Sequence, residues 1–322
     1  ITLSIPPTPG RSVVRREGNE NLFTIGEVFK QKGYSRTFFY GGDSYFDNMD
    51  TYFGNNGFDI VDRKKKHRLN KNFSTKRIDI LDDEVTFENA WGVCDEDIYN
   101  KVLKVVNAQV EDGKPFFNFV MNNSNHQPYT YPDVNAEIPS GTSREGAVKY
   151  ADRALGNFLQ KARKQPWFEN TVFVIMSDHC AYSAGRTELN VEKYHIPAYI
   201  YNLKSAENRE VDKMCSQIDI FPTLFGLFNW DYYSNIYGQN VFKMSPSQER
   251  ALIGNHRKLG LLKKDKLVVL SEDKKSRTYI WDQVTNNLTS DLSDNNQMVD
   301  EAVAYYQSAF NYFKNGQLKL KK

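Results

Sequence analysis

The chain has 322 residues, too many for one small module and too few for a long repeat array. Hydrophobic residues make up 40% and charged residues 25%, which excludes intrinsic disorder. Lys and Arg total 42 against 40 Asp and Glu, a formal charge of +2, so there is no electrostatic case for nucleic acid as a partner.

The opening Ile1-Thr2-Leu3-Ser4-Ile5 has neither an initiator Met nor the plan of a signal peptide, so the chain is expected to start downstream of a natural beginning. No later apolar run is long enough to span a bilayer. Pro6-Pro7-Thr8-Pro9-Gly10 is an extended, turn-rich lead-in. Asn21 is expected to cap a helix whose apolar face is Leu22, Ile25, Val28 and Phe29, stopped by Gly33. Thr37–Tyr40 reads as a buried strand ending in Gly41-Gly42. A helix across Asp97–Val110 then precedes strand Phe116–Met121, and a helix across Ser143–Lys164 precedes strand Thr171–Met176; strand Ile196–Tyr201 follows. Helices alternating with short apolar strands predict an α/β fold, a mostly parallel central sheet flanked by helices on both faces.

After Phe242 the texture changes. Ala251–Gly254, Lys258–Leu262, Lys266–Leu270 and Arg277–Trp281 are runs at hairpin spacing, and an amphipathic helix over Gln297–Phe313 closes the chain. The expected division is a core at 1–242 and a small antiparallel C-terminal portion at 243–322. Arg63-Lys64-Lys65-Lys66-His67-Arg68 is the one basic block, read as a solvated loop, with an anionic lipid surface as the alternative. Cys94, Cys180 and Cys215 form no CxxC pair and support neither a zinc knuckle nor a disulfide framework; Cys94 and Cys215 read as partly buried free thiols.

In open parallel sheets ligands bind beyond the carboxyl ends of the strands. Three strand ends run into polar loops, Gly41–Asn48, Asn122–His126 and Ser177–Arg186, which should converge on one site. Ser177-Asp178-His179 places a carboxylate beside an imidazole, an oxygen and nitrogen set that suits Mn²⁺ or Zn²⁺ better than Ca²⁺. Alternatively Asp178 caps a helix and His179 packs. His126, in Asn122-Asn123-Ser124-Asn125-His126, can bind a phosphate or sulfate oxygen or protonate a leaving group; otherwise the loop is an Asn-stabilised turn. Asp43, Asp47 and Asn48 offer groups for polyol hydroxyls on a loop whose two glycines allow close backbone approach, and an ordinary Gly-rich connection is the other reading. Arg186 can grip an anion bidentately or be a surface residue. His195 precedes a strand, the wrong end for the site, and is expected to be structural; His67 and His256 have no neighbours that argue for function.

Taken together in chain order, Ser4-Ile5-Pro6-Pro7-Thr8-Pro9-Gly10-Arg11-Ser12, Tyr40-Gly41-Gly42, Phe46-Asp47-Asn48, Asn125-His126-Gln127-Pro128, Tyr150–Gly156, Ser177-Asp178-His179 and Ser216–Leu224 resemble the sulfatase branch of the alkaline phosphatase superfamily. More narrowly, they resemble the lipoteichoic acid synthase and phosphoglycerol transferase family. The resemblance implies an extracytoplasmic (periplasmic) catalytic domain tethered to a bacterial inner membrane by N-terminal helices. It implies one divalent ion, commonly Mn²⁺ with Zn²⁺ or Mg²⁺ as alternatives, held by a Glu, a nucleophilic Thr and an Asp-His pair. The pair maps onto Asp178 and His179, and the substrate-binding His onto His126. The Glu and Thr would lie upstream of Ile1, so the chain by itself is expected to be inactive or nearly so. The family's loop Trp and Arg have no counterpart in Phe46-Asp47-Asn48-Met49, and Cys180 replaces the usual Gly or Tyr.

The implied function is metal-dependent transfer of a phosphoglycerol-type group from an anionic phospholipid head group to a glycan or polyol acceptor. One alternative is a sulfatase or phosphodiesterase acting on a sulfated or phosphorylated substrate with water as acceptor. The other is a non-catalytic glycan- or lipid-binding domain on a degenerate enzyme fold.

Overall fold

The computed structural model describes residues 1–63, 75–133, 136–181, 189–204, 207–255 and 257–321. They form two compact units. One comprises Asn19–Asn21 and Gly26–Asn170; the other comprises Ile1–Gly18, Leu22–Ile25 and Thr171–Lys322. The change of texture near Phe242 marks where the antiparallel strands begin, whereas the compact units part at Asn170.

The unit centred on Gly26–Asn170 runs α1 (Ile25–Gln31, its first residue in the other unit), β1 (Ser35–Tyr40), α2 (Met49–Asn55), β2 (Asp59–Asp62), β3 (Arg77–Asp79), β4 (Glu88–Asn89), β5 (Gly92–Val93), α3 (Asp95–Glu111), β6 (Phe116–Met121) and α4 (Arg144–Ala162). Its sheet has the order β3–β2–β1–β6, every pair parallel. The parallel central sheet expected from the alternating apolar runs is therefore present. Aromatic residues fill the space between sheet and helices: Phe38 of β1 stacks on Phe53 of α2 at 3.8 Å, and Phe29 of α1 stacks on Phe117 of β6 at 4.0 Å. Burying each such ring contributes about 1.5–3 kcal/mol. Helix α4 starts at Ser143, whose hydroxyl accepts the Gly146 N–H at 3.2 Å, an N-cap that satisfies one orphan donor. Asn21 caps nothing: its backbone is left-handed and its N–H donates to the Asn55 carbonyl. Helix α1 begins instead at Ile25.

The second unit contains β7 (Phe173–Met176), β8 (Ala198–Tyr201), α5 (Ile220–Leu227), β9 (Ala251–Gly254), β10 (Lys258–Lys263), β11 (Lys266–Ser271), β12 (Ser276–Trp281), β13 (Leu288–Ser290) and α6 (Asn296–Lys314). Strands β9–β13 form an antiparallel sheet of order β13–β12–β11–β10–β9. Ala302 of α6 packs with Leu261 and Val268 of the sheet, and the Tyr306 hydroxyl reaches the Gly260 carbonyl at 2.6 Å. Strands β7 and β8 pair antiparallel with Met176 opposite Ala198, where the apolar runs had suggested a continuing parallel series. No described helix is long and apolar enough to cross a membrane.

Candidate active site

In the parallel-sheet unit the loops that follow β1 and β6 meet a third segment, the β4–β5 hairpin. Gly41 and Gly42 serve that meeting. A Cβ on Gly42 would lie 2.2 Å from the Trp91 carbonyl oxygen, and Gly92, at φ 129°, faces the Gly41 carbonyl equally closely. The close approach inferred from the glycines is thus to the protein's own hairpin. Asp47 and Asn48 follow in consecutive left-handed conformations at φ 52° and 62°, a sharp corner before α2 that non-glycine residues adopt at a cost. Asp47 is exposed and Asn48 half-buried. Asp43 accepts the Tyr45 N–H at 3.1 Å and lies 3.8 Å from the Arg77 guanidinium. Burial, aided by the charges of Asp47 and Asp43, pushes the nearby Tyr40 phenol up to about 12.

His126 stands exposed on the β6 loop with its ring stacked on Trp91, centroids 4.0 Å apart and planes within 25°. Trp91 is fastened by its own indole N–H, which donates to the Gln127 carbonyl at 2.7 Å, and its edge meets Phe46 at 5.5 Å. Phe46, Trp91 and His126 therefore make a short aromatic row from three separate segments. The polar run before His126 is consumed internally. The carboxylate of Asp95, buried at the start of α3, accepts the N–H groups of Ser124 (3.0 Å) and Asn123 (3.2 Å) and the Asn122 amide (2.9 Å), and the Asp95 N–H donates to the Ser124 hydroxyl. Burial raises the Asp95 carboxyl, with those donors pulling the other way. This network, which pins the loop to the helix, has no counterpart in any sequence motif.

Arg77 forms a second hub. It donates from Nε and Nη2 to the fully buried Asp62 at 3.1 and 2.5 Å and from Nη2 to Ser44 at 3.2 Å, and it reaches Asp50 at 3.4 Å. Arg63, the first residue of the basic block, is not solvated as expected. It donates to the Ile80 carbonyl and pairs with Asp82 and Glu88. Lys64–Arg68 lie outside the described residues, as do Arg186 and His256.

In the other unit, Asp178 and His179 follow β7 on an open turn, their side chains 65% and 61% exposed. His179 Nδ1 lies 2.9 Å from the Cys180 carbonyl oxygen, which can only accept, so a tautomer with its proton on Nδ1 makes this hydrogen bond and would leave Nε2 open to a cation. That Nε2 is 3.6 Å from Asp178 Oδ2. Two ligands sharing one cation at about 2.1 Å stand roughly 3.0–3.4 Å apart, so small rotations bring this pair to one ion. Its exposure argues against His179 merely packing. Among the described residues no group of three or more His, Cys, Asp or Glu is placed to hold a metal. The turn is held by Gln217, whose amide donates to the Ser177 and Asp178 carbonyls at 3.0 and 2.7 Å. The neighbouring Ser216 N–H is held at 2.8 Å by Asp219, fully buried in a bidentate pair with Arg250 at 2.6 and 2.8 Å. The segment Ser216–Leu224 thus acts as a brace for the Asp178 turn.

His195 requires a correction. Because β8 runs antiparallel to β7, the residues before β8 lie beside those after β7. Its imidazole-bearing residue is exposed, and its carbonyl accepts the Cys180 thiol at 3.1 Å. The supposition that it sat at the wrong end came from assuming parallel strands. The three cysteines are free, and burial pushes the Cys94 and Cys215 thiols up to about 11.

With the loops, turn and sheet described, comparisons place the chain. The sulfatase family model matches residues 4–230, and the chain belongs to the sulfatase family. A solved protein of the alkaline phosphatase superfamily from Vibrio parahaemolyticus is 34% identical, with a TM-score of 0.87 over 100% of this chain and 76% of that one. The lipoteichoic acid synthase LtaP from Listeria monocytogenes shares the fold at 20% identity, with a TM-score of 0.76 over 100% of this chain and 80% of that one. Phosphoglycerol transferase I of Salmonella arizonae is 23% identical over 163 residues, 49% of this chain and 20% of that protein. The matched stretch thus spans about a fifth of the length of such curated relatives.

Proposed function

We propose that this chain belongs to a metal-dependent enzyme that transfers a phosphoglycerol-type phosphodiester group from an anionic lipid head group to a glycan or polyol acceptor, outside a bacterial inner membrane to which the whole protein is tethered. The observation that carries this reading is the exposed Asp178 and His179 pair, imidazole Nε2 and carboxylate Oδ2 3.6 Å apart on a braced turn. Relatives named for phosphoglycerol transfer and lipoteichoic acid synthesis support the choice of substrate class.

Asp178 and His179 would hold a divalent cation, Mn²⁺ before Zn²⁺ or Mg²⁺. Bound there, such an ion polarises a phosphoryl oxygen and makes a coordinated hydroxyl more acidic. His126, backed by Trp91, is suited to donate a hydrogen bond to a phosphoryl oxygen or a proton to the departing alcohol. Asp43, Asp47 and Asn48, on the loop whose Phe46 meets Trp91, are suited to glycerol or polyol hydroxyls; Arg186 would add a bidentate grip on the anion. Hydrolysis of a sulfate or phosphate ester is the second reading, favoured by the sulfatase family match.

The test is Mn²⁺ titration by calorimetry of the protein and of its Asp178→Ala and His179→Ala variants. Loss of Mn²⁺ binding in both variants is expected, and undiminished binding would sink the metal assignment. Supplying phosphatidylglycerol with a polyol or with water as sole acceptor separates transfer from hydrolysis.

A further inference from the structure

Within the unit that contains the antiparallel sheet, the segment Pro9–Gly18 and the end of α6 border an open groove of about 700 Å³, inside the usual range for ligand sites. Four cationic side chains, Arg11, Arg16, Lys314 and Lys319, line it, against one acid, Glu17. Arg16 is preset. Its Nε donates to the Arg11 carbonyl at 2.6 Å, Nη2 donates to the Pro9 carbonyl, and the guanidinium lies 5.9 and 5.7 Å from the Phe310 and Phe313 ring centroids. No described carboxylate pairs with it, and partial burial lowers its pKa, as expected of a cation lacking a counter-charge.

From this imbalance we infer that the groove is an anion site for a phosphate ester borne on a small polyol or apolar body, such as a glycerophosphate unit. The cations would take the phosphate, and Phe310, Phe313 and Pro9 would cover the attached carbon chain. Nothing in this depends on the reaction proposed above, since none of the residues is shared with it.

Calorimetric titration with glycerol 1-phosphate and inorganic phosphate, and flotation with phosphatidylglycerol against phosphatidylcholine vesicles, tests it. Binding by a phosphate probe should weaken with salt and fall about tenfold in the Arg11→Gln/Lys314→Gln double variant. It should persist in His126→Ala and Asp178→Ala, so that failure here is distinguishable from failure of the catalytic reading. Arg16→Gln can loosen the N-terminal segment, whereas the double variant removes side chains without hydrogen bonds to it. Saturation by the soluble probes identifies a free phosphate ester; flotation with phosphatidylglycerol alone identifies a lipid head group. Absence of binding by every probe, or binding indifferent to the double variant, overturns the inference.

Discussion

Trp91 is held on one edge by Phe46, through its N–H by Gln127, and on its face by His126. A stacked pair of this kind contributes about 0.5–1.5 kcal/mol, enough to bias the exposed imidazole toward the stacked orientation. Trp91→Ala should therefore broaden the His126 ring signals in NMR and, in the whole protein that carries the nucleophile, reduce turnover about tenfold through lost orientation, while Trp91→Phe keeps the stack and most of the rate. Unchanged ring signals in Trp91→Ala would refute the positioning role. A second residue-scale effect is acid sensitivity at Glu84. Burial opposes its ionisation, yet the ammonium groups of Lys101 and Lys104 bring it down to about 2 from 4.5. The folded value lies below the unfolded one, so the stabilisation is complete above pH 4.5 and lost as pH falls toward 2. Urea midpoints should drop over that window, and Glu84→Gln should flatten the drop.

At the scale of elements, a buried ion pair and a side-chain amide hold loops to their supports. Arg250 and Asp219 are fully buried and pair bidentately through both Nη atoms, and Asp219 also accepts the Ser216 and Gln239 N–H groups. Arg250→Met leaves that carboxylate uncompensated and should cost about 3–5 kcal/mol in chemical denaturation, more than replacement of both partners together. Gln217→Ala, which removes only the amide tie to the Asp178 turn, should leave stability nearly intact but weaken Mn²⁺ binding, the signature of a positioning residue. The hairpin contact is tested by Gly42→Ala: its Cβ would meet the Trp91 carbonyl at 2.2 Å, so the variant should lose about 2 kcal/mol or more of stability. Strands β1 and β6 were legible because Phe38-Phe39-Tyr40 is a continuous apolar run and Phe116–Met121 is broken only by Asn118. Strands β2 and β3 were not, because Asp59-Ile60-Val61-Asp62 and Arg77-Ile78-Asp79 are short and flanked by charges whose pairing is visible only in three dimensions.

Over the whole molecule, each unit covers its own sheet. Helix α6 lays Ala302, Tyr306 and Ala309 on the antiparallel sheet, so deletion of residues 296–322 should expose Leu261 and Val268 and yield dye-binding, aggregating protein. The α/β class, the late antiparallel strands, the closing helix and the candidate positions His126, Asp178 and His179 follow from residue order alone. Periodicity and strand-end loops are local properties, written in neighbours a few positions apart. Tertiary structure alone decided that β8 turns back beside β7 and carries His195 to the Asp178 turn. It also decided that Trp91 backs His126, that Asp95 consumes the asparagine-rich loop, and that Gln217 braces the backbone of the Asp178 turn 39 positions away. Those pairings join residues distant in the chain, and a backbone direction or a buried hydrogen-bond partner leaves no periodic trace in the sequence.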